Sequence, residues 1–217
     1  MTHAERNESD EVVGSAVVAD DVPTGNTYDK YNTSNPIERR MMKGFFEHLD
    51  AFVDVTEPKR ILEVGLGEGI VSERLRARFP DASIVGIDLA DGELGAHWRS
   101  RGLAAAFADV EHLPFADDVF DLVVAIEVFE HFPDPGRALR ELARVGSSHL
   151  VASVPFEPVW RIGNMVRGRY LSALGNTPGH VNHWTRGGFS RFVGGQWDVE
   201  DVASPLPWTM VRASTRR

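Results

Sequence analysis

Glu127, Glu130 and His131 stand at i, i+3 and i+4 in the run EVFEHFPDP. If that run makes one helical turn, the three side chains share a face. Two chemistries would follow. An imidazole ordinarily changes charge near neutrality, which suits a general base, so His131 could take a proton from a hydroxyl or amine. Alternatively, the two carboxylates and the imidazole could join a later histidine, His180 or His183 of GHVNHWTRGGF, around a divalent cation that positions a hydroxyl or diol. A third reading is structural: His131 and the H-x-x-H segment hold the wall of a site together. A second constellation lies upstream in RILEVGLGEG, Arg60 to Gly69. A buried strand from Ile61 to Val64 runs into a turn with Gly65, Gly67 and Gly69. Glycine has no Cβ and tolerates positive φ, so the backbone can come close to a ligand. The helix opening at about Ile70 offers N–H groups at the same place. Such a turn can also close a strand and bind nothing. Asp88 favours binding: it ends the next apolar strand roughly 20 residues on, a spacing that suits a carboxylate accepting both hydroxyls of a ribose. The alternate glycine spacing, with Ile70 following, departs from G-x-G-x-x-G and argues against the pyrophosphate cradle of a dehydrogenase.

The elements that must position these groups follow a regular rhythm. A helix is expected from Pro36 to about Phe52, capped by Ser34 or Asn35, with Met41, Phe45, Leu49 and Phe52 on its apolar face. After the first strand come a helix over 70–79, a strand over 83–88, a helix over 91–101 and a short strand over 103–107. A nearly continuous apolar strand over 119–126 follows, then a helix over 135–145 and a strand over 148–154. Alternation of this kind argues for a doubly wound parallel sheet. Residues 156–193 are long for a connection and rich in aromatic and basic residues, which points to an insertion on the substrate side. Within it, Trp160, Tyr170 and Trp184 could line a flat pocket or pack in the core. Arg161, Arg167 and Arg169 on a helix over 159–171 could hold an anionic substrate or form a solvated face. Residues 197–202 and 208–213 read as two closing strands.

The turn E-V-G-L-G-E-G, with Asp88, Ala108-Asp109 and LPFADDVFDLVVAIEVFEHFPDP, resembles the class I S-adenosylmethionine-dependent methyltransferases. The nearest branch is the small-molecule, type 11-like group that includes ubiquinone-type O-methyltransferases. The resemblance is strong over about 61–154 and weak in the flanks. It implies a Rossmann-like, doubly wound, seven-stranded, mostly parallel sheet with an antiparallel C-terminal pair and helices on both faces. It implies S-adenosyl-L-methionine as cofactor, with S-adenosyl-L-homocysteine as product. Carried over by position, Glu63 would order the glycine turn, and Gly65 and Gly67 would meet the amino-acid tail. Asp88 would take the ribose, and Leu89 would pack on the adenine. Asp109 would accept the adenine amino group, the Val110 backbone would meet a ring nitrogen, and Glu127 would complete the cofactor set. Asp109 has the alternative of capping a turn. The family's N-terminal lid makes Tyr28 and Tyr31 candidate substrate contacts, beside Trp160, Arg161, His180 and Trp184. His131, Glu127 and His183 are the catalytic candidates. The E-x-x-E-H run also resembles that of small-RNA 3′-end methyltransferases and ubiquinone-type enzymes, giving the alternative metal set Glu127, Glu130, His131 and His183. A resident metal is otherwise not expected.

The 217 residues suffice for one α/β domain: an acidic, disordered tail over 1–26 and a single domain over 27–217, with 27–55 as lid and helix. No apolar run is long enough to span a bilayer. The chain has no cysteine, hence no disulfide and no thiolate metal site. These features fit a cytoplasmic protein and leave room for a homodimer. The net charge of -9 disfavours a nucleic-acid substrate unless a basic patch compensates. Transfer of a methyl group to an oxygen or nitrogen of a small molecule, such as a secondary metabolite, sugar or lipid-like acceptor, is the expected function. The alternatives are a metal-assisted O-methyltransferase acting on a diol or RNA 3′ end, and a non-catalytic cofactor-binding module.

Overall fold

The computed structural model describes residues 35–157, 159–160, 165, 177 and 179–216. Tyr28, Tyr31, Arg161, Arg167, Arg169 and Tyr170, the tail over 1–26 and most of the expected 159–171 helix lie outside the described residues.

Helix α1, Pro36–Asp54, starts where the Asn35 side chain accepts from the Ile37 N–H at 2.9 Å, with proline in the first turn. Its inward face is Met42, Phe45, Leu49, Phe52 and Val53, so Met42 rather than Met41 is the buried methionine. Strand β1, Arg60–Val64, leads into α2, Ile70–Arg78. The two helices are joined by Arg74, whose guanidinium grips the Asp50 carboxylate at 2.6 and 2.7 Å, and by Arg78 on Asp54. Next come β2, Ser83–Asp88, and α3, Gly92–Arg101, capped by the Asp91 side chain. Strand β3, Ala105–Phe107, is shorter than the apolar pattern suggests, because Leu103 packs with the α3 cluster of Leu66, Leu94 and Trp98 instead. Strand β4, Phe120–Ile126, helix α4, Pro135–Val145, and strand β5, Gly146–Pro155, follow. The chain closes with α5, Arg186–Val193, and the pair β6, Trp197–Ala203, and β7, Trp208–Thr215.

The strands form one seven-stranded sheet in the order β3-β2-β1-β4-β5-β7-β6. β1 to β5 are parallel, whereas β7 runs antiparallel to both β5 and β6. One sheet face carries Ile61, Leu122, Val124 and Val151 against α1 and α2. The other carries Leu62, Val123, Leu150 and Val211 against α4 and α5. Strand order turns outward in both directions between β1 and β4. In an open parallel sheet that switch point, at the carboxyl ends of the strands, is where a ligand crevice opens.

Helix α5 is absent from the sequence expectation, which treats 156–193 as an insertion. Its buried Phe189 and Val193 are part of the main core. Among the described residues, no helix is long and apolar enough to cross a membrane.

Candidate cofactor and acceptor site

Five parallel strands end on one edge, and the candidate residues follow those ends. After β1, Gly65, Gly67 and Gly69 all have positive φ, at 74°, 49° and 80°. The Gly65 and Leu66 N–H groups donate to the Ile87 carbonyl at 2.9 and 3.0 Å, which ties the turn to β2. A Cβ at Gly65 would lie 2.1 Å from Val128 Cγ1, and one at Gly69 would lie 2.2 Å from Leu103 Cδ1, whereas one at Gly67 would meet nothing within 4 Å. Gly65 and Gly69 are thus packing glycines, and Gly67 borders open space.

Asp88 ends β2 and reaches across to this turn. Its Oδ2 accepts from the Gly67 N–H at 2.6 Å and its Oδ1 from the Leu89 N–H at 2.8 Å. Burial raises its pKa; the two backbone donors act against that, and the Asp91 charge adds to it. Each carboxylate oxygen has a second lone pair, so the pair can still accept from a diol. The indole N–H of Trp98 holds the Gly67 carbonyl at 2.7 Å from the α3 side.

Glu63 lies beneath the turn, 2% exposed, and accepts from the Ser72 hydroxyl of α2. Burial pushes its carboxyl up to about 8 from the ordinary 4.5, with the Ser72 donor opposing and the Asp88 charge assisting. The folded protein therefore keeps a proton that the unfolded chain has lost between pH 4.5 and about 8. Stability should fall as pH rises through that window, by up to about 1.4 kcal/mol per unit, and level off above it. Urea denaturation at a series of pH values tests this; Glu63→Gln should flatten the slope, and an unchanged slope in that variant would assign it to other groups.

After β3, Asp109 accepts from the Glu111 N–H at 2.9 Å through Oδ1 and meets His112 Nδ1 at 3.2 Å through Oδ2. It caps its own turn, the structural role that the sequence leaves open beside adenine recognition. Val110 is buried in the main core and Leu89 is half-buried next to Asp88.

After β4 the run 127–131 is a turn rather than a helix. Glu127 has φ 54° and its N–H donates to the Ser153 carbonyl, while the His131 N–H closes on the Val128 carbonyl at 3.0 Å. The left-handed residue breaks the helical phase that would have aligned Glu127 with Glu130 and His131. The group brought together is Glu130, His131 and His180, each offering one ligand atom, all within 4.8 Å of one another. It shares Glu130 and His131 with the alternative metal set of the sequence and has His180, the other histidine weighed there, in place of His183; Glu127 is not part of it. The His183 side chain is 42% exposed, with Nδ1 3.6 Å from Glu157 Oε1.

The segment bearing these histidines is tied to the β4 turn. The Val181 and Asn182 N–H groups donate to the Glu130 carbonyl at 2.9 and 3.0 Å. The Asn182 amide donates to the Phe129 and Phe132 carbonyls at 3.1 and 2.7 Å. Trp184 packs on Phe189 and Phe192 and belongs to the rim of the core. Trp160 is half-buried beside Trp208, and its indole N–H donates to Thr177 Oγ1 at 3.0 Å. Glu157, just past β5, is 4% exposed and accepts from His180 Nδ1 at 2.9 Å. Sequence reasoning missed this carboxylate: it stands alone in the chain, 23 residues from its partner.

A family model described as a methyltransferase domain matches residues 62–149. Over 125 residues the chain is 39% identical to the malonyl-[acyl-carrier protein] O-methyltransferase of Geobacter sulfurreducens, covering 54% of this chain and 44% of that protein. Over 118 residues it is 38% identical to the demethylmenaquinone methyltransferase of Thermus thermophilus, covering 51% and 54%. The chain thus spans about half the length of the curated relatives it matches. The crystal structure of the magnesium protoporphyrin IX methyltransferase of Synechocystis, with bound S-adenosylhomocysteine, superposes with a TM-score of 0.59 at 14% identity, covering 85% of this chain and 89% of that one.

Proposed function

With residues 62–149 belonging to the methyltransferase domain family and the sheet built as in class I methyltransferases, we propose that this protein transfers a methyl group from S-adenosylmethionine to an oxygen or nitrogen of a small molecule. The observation that carries the reading is Asp88 pinned against the Gly67 N–H at the switch point of the sheet. It puts a diol acceptor and a bare stretch of backbone side by side, as a nucleoside with an amino-acid tail requires. A lipid-like acceptor is supported by the quinone and acyl-carrier substrates named for the relatives.

Displacement at a sulfonium methyl has a good neutral leaving group, so the protein's main task is alignment of nucleophile, carbon and sulfur. The glycine turn and Asp88 would fix the cofactor. The turn over 127–131 and the segment over 179–184 would form the acceptor side. His131 would take the acceptor's proton if the acceptor is not already ionised. Calorimetric titration with S-adenosylhomocysteine tests the cofactor half, and transfer of labelled methyl groups to a panel of phenols, hydroxyquinones and acyl carboxylates tests the acceptor. Saturable binding with label in one class is expected. A chain that binds no S-adenosylhomocysteine would sink the reading.

One observation favours a second reading, metal-assisted transfer: the gathered Glu130, His131 and His180. A carboxylate oxygen and two imidazole nitrogens fit a divalent cation. Such a cation would lower the pKa of an acceptor hydroxyl and orient it.

A further inference from the structure

Hydrogen bonds to the two clustered imidazoles determine which atoms they can offer. His131 Nδ1 lies 2.9 Å from the Gly179 carbonyl oxygen. A carbonyl only accepts, so Nδ1 carries the proton and the neutral ring's lone pair is on Nε2. His180 repeats the pattern with a carboxylate: its Nδ1 is 2.9 Å from Glu157 Oε1. The rings meet edge to face, with centroids 5.0 Å apart and planes at 82°. Glu157 reaches this place from the end of β5, whereas Glu130 and His131 come from the end of β4. Its second oxygen, Oε2, is buried and has no hydrogen-bond partner among the described residues. The His183 nitrogen at 3.6 Å from Oε1 is too distant for a hydrogen bond. A buried carboxylate so placed, with one oxygen committed to a single imidazole nitrogen, is the arrangement by which a ligating histidine is oriented from behind.

We propose that Glu157 is a positioning residue: it holds His180 in the Nδ1–H tautomer, so that Nε2 is the atom His180 offers beside Glu130 and His131 for a divalent cation. This rests on the second, metal-assisted reading. Glu157 does not touch the cation or the acceptor. It acts through His180, as the Gly179 carbonyl acts through His131.

The test uses the full chain with 15N-labelled histidine and cobalt(II) as the probe ion. Long-range 1H–15N spectra of the parent should show His180 protonated at Nδ1. In Glu157→Ala that tautomer should lose its dominance, and Glu157→Gln, whose carbonyl oxygen can still accept, should restore it. Cobalt(II) affinity, read from the visible d–d bands, should fall about 10- to 100-fold in Glu157→Ala and recover in the glutamine variant. A parent spectrum with His180 protonated at Nε2 overturns the proposal without any variant, so a Glu157→Ala protein that fails to fold does not shield it. An unchanged tautomer or unchanged cobalt(II) affinity in Glu157→Ala also overturns it. If the parent binds no cobalt(II) although the tautomer shifts as expected, the metal reading fails and the positioning role of Glu157 stands. S-adenosylhomocysteine titration of the same samples reports separately on the cofactor reading, which depends on the ends of β1 and β2.

Discussion

Asp88→Ala is expected to weaken S-adenosylhomocysteine binding at least about 100-fold, because the substitution removes two sets of contacts at once. The first is the pair of hydrogen bonds that a carboxylate would accept from ribose hydroxyls; bonds to a charged group are worth about 1.5–3 kcal/mol each. The second is internal. The Gly67 and Leu89 N–H groups, at 2.6 and 2.8 Å from the carboxylate, lose their acceptor, and the turn loses its tie to β2 through that side chain. Asp88→Asn keeps one acceptor oxygen and should fall between the two. Calorimetry on all three proteins measures this. Parent-like affinity in Asp88→Ala would place the ribose elsewhere. Burial also raises the Asp88 pKa, so affinity should weaken on acidification as the carboxylate takes up its proton.

Two alanine substitutions in the glycine turn are expected to separate scaffold from cradle. At Gly65, with φ 74°, a new Cβ would be 2.1 Å from Val128 Cγ1. Valine is stiff at χ1 and cannot swing aside cheaply. Left-handed strain of about 1–2 kcal/mol adds to overpacking of about 1–3 kcal/mol, so the protein should lose roughly 5–15 °C in Tm. At Gly67, with φ 49°, nothing lies within 4 Å of the added Cβ. Only the backbone strain remains, so Gly67→Ala should lose just a few degrees. Its methyl would nevertheless occupy the open space that the turn borders, and S-adenosylhomocysteine binding should weaken by about tenfold or more, the cost of about 1.4 kcal/mol or more. Thermal denaturation paired with calorimetry distinguishes the two variants. Full affinity in Gly67→Ala would move the ligand away from this turn.

Local signals carried most of the sheet. The helix expected over 135–145 is α4, Pro135–Val145, and the Asp134 side chain caps it. The glycine turn and Asp88 were legible because both features are set by spacing along one βαβ unit. Helix α5 was not: Gly187 and Gly188 lower helix propensity at its start, and its buried Phe189 packs on Phe129 from the distant β4 turn. The acceptor side was half legible. Glu130 and His131 declared themselves, but the phase with Glu127 depended on a helix that its φ of 54° forbids. His180 and His183 looked equivalent in sequence, and only the fold buries one and exposes the other. Glu157 left no pattern at all, since a contact spanning 23 residues has no periodicity.

Two main-chain hydrogen bonds, from the Val181 and Asn182 N–H groups to the Glu130 carbonyl, join the β4 turn to the histidine-bearing segment, and the Asn182 amide and the His131 imidazole add side-chain bonds to carbonyls across the same join. Peptide groups are the same whatever side chain they bear. Substitution of Val181 or Glu130 therefore leaves the main-chain part of that seam in place, provided the Asn182 amide and the His131 imidazole keep their carbonyls. On the function proposed above, such a seam would let side chains on the acceptor side change while the ends of β1 and β2 that would hold the cofactor stay as they are.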